Sequence, residues 1–401
     1  MAPDLVYTSC KFLFSAFDFW KPLMEFMVLS SLLFLDFSQK GGNWMRKFTV
    51  IFALLVAFLS VSIGCTEFLL SPEKNNGLVI SGRSMEFSYP LNSKVVFFNR
   101  GDSFSSHMPD GSESVSWENK YGFVGLNAFD IPTAISDGLN ETGLSLSALW
   151  LPGTEYEEVA PDSDPTKVIE LFDLPSWILG NFDTLESVRE ALESMTIWGE
   201  ENELLGEVPP LHLSLHDKFG GSMVVEFIDG EMKIYDNPNA VLTNAPELSW
   251  HLENLRNYVN LSPYMKEGEI NGITYKGMGF GSGYVGIPGD GTPPSRFVRI
   301  TLLREFSNSV ETEEEGVMLA LHLLNTVDIP AGVSKREGNG PASFENTQWV
   351  TIKDNKNLKL YFRSYDCSSL FLVDLNKVDF SNGAEHESII VDKEFSVVDA
   401  F

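Results

Sequence analysis

What surrounds Cys65 constrains this chain more than any other feature. Residues 45–64, MRKFTVIFALLVAFLSVSIG, pass from two basic residues through an apolar run to small residues at Ser62 and Gly64. That is the charged, greasy, small-residue order of a cleavable secretory signal. A cut after Gly64 makes Cys65 the first residue of the mature chain, 65–401, so the fold has to place a chain terminus wherever it places this cysteine. The other reading is an uncleaved membrane anchor, for which Phe48 to Ile63 is short. Upstream, FLFSAFDFWKPLMEFMVLSSLLFLDF is apolar but broken by Asp18, Lys21, Pro22 and Glu25, with no amphipathic period. Codons for the Lys-Gly-Gly of KGGNWM can spell a purine-rich ribosome-binding sequence. Translation in a bacterium is therefore expected to start at Met45, with residues 1–44 a misassigned extension and the product periplasmic or secreted. The border also resembles a lipoprotein site, where the cysteine is lipidated and its amine blocked, although Ser62 stands where such sites usually carry Leu.

With 401 residues, 43% of them hydrophobic and 12% aromatic, the chain has a globular composition and enough length for a large core. A formal charge of -28 repels phosphate backbones and anionic lipid, which argues against nucleic-acid or membrane-surface partners and for a small neutral or amphipathic substrate. Cys10, Cys65 and Cys367 show neither CxxC nor Cys/His spacing, so no structural zinc, disulfide framework or other cofactor is expected.

Beyond Cys65, TEFLL and LVISGRSMEF read as strands joined by the turn formers of SPEKNNG. VVFFN, YGFVGLNAF and GLSLSALWL follow as strands, the last entered by a turn over SDGLNETG. Residues 166–198 carry helical spacing, with Asp183 or Thr184 as a cap before LESVREALESM. LHLSLHD, SMVVEFID, EMKIYDN and AVLTN read as a meander. A Gly-rich stretch then precedes two helices, FVRITLLREFSNS and EEEGVMLALHLLNTV, and WVTIKDNKNLKLYFRSYD and LFLVDLNKVDF close the chain as strands. Blocks of strands and helices without βαβ alternation predict one α+β domain.

A thiol is a strong nucleophile but mostly protonated near neutrality, with a reference pKa of about 8.5. A new α-amine, of reference pKa about 7.7 to 8.0, would place a base on the same residue. CTEFLL...GLVISGRSMEF, DGLNETGLSLSALWLPG, AVLTNAPELSWH and GIPGDGTPPSRFVR resemble, in order, blocks of the choloylglycine hydrolase family, the bile salt hydrolases and penicillin V acylases. The resemblance implies a four-layer αββα N-terminal-nucleophile fold and hydrolysis of a linear, non-peptide amide through a thioester. It makes Cys65 nucleophile and base, with Arg83 and Arg296 beside the sulfur. Glu86 stands where the family usually has an Asp that holds the α-amine. Asn244 is the oxyanion donor, and Trp150 stands where bile salt hydrolases have Asn, leaving its backbone N–H as a donor. Trp150 and the signal look more like the penicillin V acylases of Gram-negative bacteria, which also cleave acyl-homoserine lactones. A homo-oligomer, tetrameric in the family, is implied as well.

A rival from another class is an exported lipoprotein, lipidated at Cys65, that binds acylated ligands without turnover. Residue by residue, plainer readings exist. Arg83 and Glu86 can be a surface ion pair, Asn244 can shape a turn, and Arg296 can serve the start of its helix. His212 and His216 bracket Ser214 in LHLSLHD and invite a metal or Ser/His reading, but no acidic partner is fixed by spacing and HExxH is absent, so they read as strand histidines beside a core. GFGSGYVG lacks the strand–turn–helix context of a dinucleotide fingerprint and reads as a loop with close backbone approach.

Overall fold

A computed structural model describes residues 64–203, 205–336 and 343–399. The expectations for residues 1–63, Cys10 among them, lie outside the described residues. The run CTEFL forms strand Cys65–Leu69, antiparallel to Ile80–Phe87. Between them Asn76 and Gly77 both take positive φ, the conformation that the turn formers of SPEKNNG permit. Ile80–Phe87 also pairs with Ser343–Asp354, which continues through Lys359–Ser364 to Phe371–Asp374. Cys65–Leu69 thus lies near one side of a sheet that it shares with the last strands of the chain.

The second large sheet runs Glu231–Asp236, Ser222–Ile228, Leu211–His216, Ser145–Trp150, Ile131–Asn140, Phe123–Ala128, Lys94–Phe98 and Ile389–Ile390. Helices α1 (Leu174–Asn181) and α2 (Leu185–Leu192) cover its outer face. There Leu174, Ile178, Leu179, Val188 and Leu192 pack on Leu146, Leu213, Leu215, Val225 and Phe227. Pro175 starts α1, and the Thr184 hydroxyl accepts from Ser187 N–H to cap α2. A short helix α3 (Leu248–Asn254) precedes α4 (Pro293–Phe306) and α5 (Glu313–Asn325). These last two lie on the first sheet, α4 against Cys65–Leu69 and α5 against Ile80–Phe87. The Thr312–Glu315 capping box opens α5. The architecture is the α+β four-layer αββα sandwich of N-terminal-nucleophile hydrolases.

Three local expectations give way to tertiary contacts. Residues 166–198 are not continuously helical. Val168–Glu170 and Thr196–Trp198 pair in parallel on either side of α1 and α2, because Pro175 resets the backbone and burial of VIE favours a ladder. SDGLN is strand rather than turn. Ile131–Asn140 runs through it, and only the next residues reverse the chain, held by the Asn140 side chain, which accepts from the N–H groups of Thr142 and Leu144. AVLTN leaves the meander: Val241 and Leu242 cross to the first sheet and pair with Phe68 and Glu67. That crossing brings Asn244 to Cys65.

Between the sheets the interior is unusually polar. Strand alternation turns Glu67, Arg83, Thr351 and Lys353 inward from one sheet and Asp137, Ser147, Ser214 and His216 inward from the other, all of them buried. Buried polar groups persist only when paired, and each of these side chains has at least one partner. Asp137 accepts from Thr351 at 2.6 Å, from Ser147 at 2.6 Å and from Lys353. Glu67 meets His216 at 2.7 Å and accepts from Ser214 at 2.9 Å.

Candidate active site

Cys65 heads its strand, buried, still joined to Gly64. Its neighbours divide between the two faces of the sheet. On the inter-sheet face Arg83, opposite Glu67 in the next strand, sets Nη2 3.8 Å from the Cys65 Sγ and donates to the Ala148 carbonyl at 2.6 Å. It also donates to the Ser136 carbonyl, lies 3.8 Å from Asp137, and covers the Trp349 ring at 5.3 Å. Met85 is the other close neighbour, its Sδ 3.7 Å from the thiol.

On the helix face Arg296, in the first turns of α4, donates to the Cys65 carbonyl, to Thr66 Oγ1 at 2.6 Å and to Asn244 Oδ1 at 2.7 Å. None of these contacts is with the sulfur itself. They lie on the helix face, because Arg296 approaches from the side opposite the thiol. Its charge still reaches Cys65. Burial pushes the thiol pKa up, and Arg83 opposes this most, with Glu86 adding to the rise and Arg296 lowering it.

Glu86 also lies on the helix face. It accepts from Thr347 Oγ1 at 2.6 Å and Ser84 Oγ at 3.1 Å, and its N–H donates to the Gly64 carbonyl at 2.8 Å. Burial raises its carboxyl to about 7, against the pull of Arg296 and the two hydroxyls. A surface ion pair between Arg83 and Glu86 is excluded, since both are buried and point to opposite faces. The N–H of Cys65 donates to Asn244 Oδ1 at 2.6 Å rather than to Glu86.

Asn244 is oriented by chemistry. Arg296 and the Cys65 N–H can only donate, so both fix Oδ1, and Nδ2 donates to the Trp150 carbonyl at 2.8 Å. One hydrogen on Nδ2 is thereby used and the nitrogen carries a second. Trp150 meets Asn244 through its carbonyl, and its ring borders an apolar pocket that Cys65 also lines. Phe87 stands at the centre of that wall, edge-on to both Trp150 and Phe129 at ring distances of 5.9 and 5.6 Å.

His212, His216 and Ser214 do not approach Cys65 within hydrogen-bonding contact. His216 and Ser214 engage Glu67, and His212 engages Glu226 at 3.1 Å and the Thr243 carbonyl at 2.9 Å. Their acidic partners come from other strands, which spacing within LHLSLHD does not reveal. The Gly-rich loop behaves as read: a Cβ on Gly283 would sit 2.0 Å from the Tyr264 carbonyl oxygen. Cys367 is buried with its sulfur 3.6 Å from Ser396. Sequence reasoning missed Met85 and Phe87, on the same strand as Arg83 and Glu86, and Asp137, Thr347, Lys353 and His251, contributed by distant strands or a neighbouring helix. The one signal available was the polar alternation of strands that turn out buried on both faces.

A buried cysteine at a strand head, an arginine at its sulfur and an asparagine fixed on its nitrogen, inside an αββα sandwich, define an amidohydrolase of the N-terminal-nucleophile class. Residues 65–391 match the profile of the linear amide C–N hydrolases, choloylglycine hydrolase family, and the chain belongs to that family. It is 28% identical over 338 residues to a bile salt hydrolase/transferase of Clostridium perfringens, covering 83% of this chain and 98% of that one. It is also 28% identical over 364 residues to a penicillin V acylase of Pectobacterium atrosepticum, covering 85% and 89%. Among solved structures, a variant of the conjugated bile acid hydrolase from Clostridium perfringens superposes with a TM-score of 0.73 at 27% identity, over 84% of this chain and all of that one. The penicillin V acylase from Agrobacterium tumefaciens gives 0.65 at 26%, over 80% and 89%. The protein is a hydrolase of linear amides.

Proposed function

We propose that removal of the segment ending at Gly64 turns Cys65 into an N-terminal nucleophile that hydrolyses amides with an apolar acyl group, outside the cytoplasm. The observation that carries this is the double grip on Cys65: its sulfur lies near Arg83, its nitrogen on Asn244 Oδ1, and the residue opens into an apolar pocket. Once freed, the amine takes the thiol proton and the sulfur attacks the carbonyl carbon. Asn244, through the second hydrogen on Nδ2, and the Trp150 N–H hold the oxyanion. The amine returns the proton to the leaving nitrogen, the C–N bond breaks, and water releases the acid from the thioester. Glu86, 0% exposed and with its own backbone N–H on the Gly64 carbonyl, faces the new ammonium when its carboxylate is ionised.

Gly64 is buried and its carbonyl is held by the Glu86 N–H, which favours removal of the segment before folding, by a signal peptidase during export, or by the chain itself, over a protease acting on the folded surface. The pocket selects the acyl group. Phe87, Phe129, Trp150, Phe172 and Leu211 offer rings and methyls but few polar partners, which suits phenoxyacetyl or fatty acyl groups better than a polyhydroxylated steroid. The reading as a homo-oligomer is supported by a hairpin, Glu267–Ile270 with Ile273–Lys276, whose residues are all exposed. A lone two-stranded hairpin is marginal in water, and Ile270, Ile273 and Tyr275 with nearby Met278 and Phe280 give it an apolar surface suited to another copy in a homo-oligomer. The test is turnover of penicillin V, acyl-homoserine lactones and glycine- and taurine-conjugated bile acids by the mature enzyme, alongside Cys65→Ala and N-terminal sequencing. Turnover with a free Cys65 amine, lost in Cys65→Ala, is expected. A lipid-blocked Cys65 without turnover would leave the lipoprotein reading standing.

A further inference from the structure

We propose that His251 is a positioning residue for hydrolysis: it holds Asn244 through that residue's own backbone carbonyl, while His212 does the same for the carbonyl of Thr243. The proposal rests on Asn244 serving the oxyanion, as set out above. His251 Nε2 lies 2.9 Å from the Asn244 carbonyl oxygen, and His212 Nε2 lies 2.9 Å from that of Thr243. Both rings are fully buried. Thr243 and Asn244 follow the two-residue strand Val241–Leu242 and sit outside any ladder. Their carbonyls therefore need other donors, as buried backbone oxygens do, and the imidazoles supply them.

A carbonyl only accepts, so each Nε2 carries its hydrogen. For His251 the other nitrogen, Nδ1, is buried without a partner, so a second proton there would be unpaired. The ring stacks on Phe297 of α4 at 4.6 Å and 11°, and burial draws its pKa down to about 4. It is a neutral, fixed donor. His212 Nδ1 faces Glu226 Oε1 at 3.1 Å, and the same oxygen accepts from Leu248 N–H at the start of α3. The peptide planes on both sides of the Asn244 α-carbon are thus pinned. With the main chain fixed, the carboxamide is aimed at Cys65, Arg296 and Trp150 together. Errors of about 1 Å in such geometry can cost on the order of 100-fold in rate.

The experiment is steady-state kinetics on the mature enzyme with penicillin V, or with the faster of the other two amide classes if penicillin V is not cleaved. His251→Leu removes the donor, and His251→Gln replaces it with an amide N–H. His251→Leu is expected to lower kcat by roughly tenfold or more with KM within about twofold, and His251→Gln to recover most of that loss. In an Asn244→Ala background His251→Leu should add little, since the ring acts through Asn244. His251→Asn, polar but too short to reach the carbonyl, carries the same expectation as Leu if the Leu variant does not fold. Wild-type kcat in a folded Leu or Asn variant, or a full multiplicative effect on top of Asn244→Ala, overturns the positioning role. Unchanged turnover by Asn244→Ala alone overturns the oxyanion assignment instead.

Discussion

Glu86 is the residue whose removal has the most calculable consequence. Its carboxyl is fully buried and titrates near 7 in the folded chain, against an ordinary value of 4.5, chiefly because burial penalises the ionised form. Below pH 4.5 both folded and unfolded chains hold the proton. Between 4.5 and about 7 the unfolded chain releases it while the folded chain keeps it, so stability falls as pH rises through this window. Above the folded value the loss is complete. A shift of roughly 2.5 units corresponds to about 3 kcal/mol. Glu86→Gln keeps the shape and the contacts with Thr347 and Ser84 but does not titrate, so its stability relative to the parent should rise by that amount from pH 4 to pH 8. The assay is urea unfolding of both chains in a Cys65→Ser background with Gly64 kept ahead of it, so that no free amine faces Glu86, reading the difference in unfolding free energy at each pH. Glu170, raised to about 7, and His251, lowered to about 4, titrate equally in both proteins and cancel. A difference that stays flat across the window, or falls, refutes the claim that Glu86 enters the fold protonated.

Other consequences are simpler to check. Arg83→Met removes the cation nearest the sulfur, the largest influence opposing the burial of the thiol, so alkylation of the mature Cys65 by iodoacetamide at pH 7.5 should slow by about tenfold for each unit of thiol pKa gained. Phe87→Ala deletes the ring that bridges Trp150 and Phe129; thermal denaturation should show a loss of about 3 to 5 kcal/mol, and KM for an apolar acyl substrate should rise more than kcat falls. Ile270→Asp with Ile273→Asp places charges on the exposed hairpin. Light scattering should then show a smaller assembly with unchanged far-UV circular dichroism, whereas an unaltered mass would remove the hairpin from the interface.

How much of this was legible beforehand depends on the range of the interactions concerned. The turn at Asn76–Gly77 and the Thr184 cap are decided within a few residues, and the sequence shows them. So does the order of blocks around Cys65, Arg83, Asn244 and Arg296. Which sheet a strand joins is settled by distant partners, which is why AVLTN reads as the end of a meander when Val241 and Leu242 lie beside Phe68 and Glu67. The same limit hid the division of the site. ISGRSMEF alternates polar and apolar as a strand with one wet face would, yet it is buried throughout. Its neighbours on one side are the inter-sheet groups Asp137 and Lys353, and on the other α4 and α5. Alternation alone dictates that Arg83 and Glu86, three apart, face opposite ways. What it does not disclose is that both faces are dry and both serve one residue: Arg83 tunes the sulfur from between the sheets, while Arg296 and Glu86 work from the helix side on the backbone of Cys65 and Gly64. The separate jobs proposed for the sulfur and nitrogen of Cys65 need a strand head reached from both faces, and a strand in the middle layers of a sandwich is where a fold supplies one.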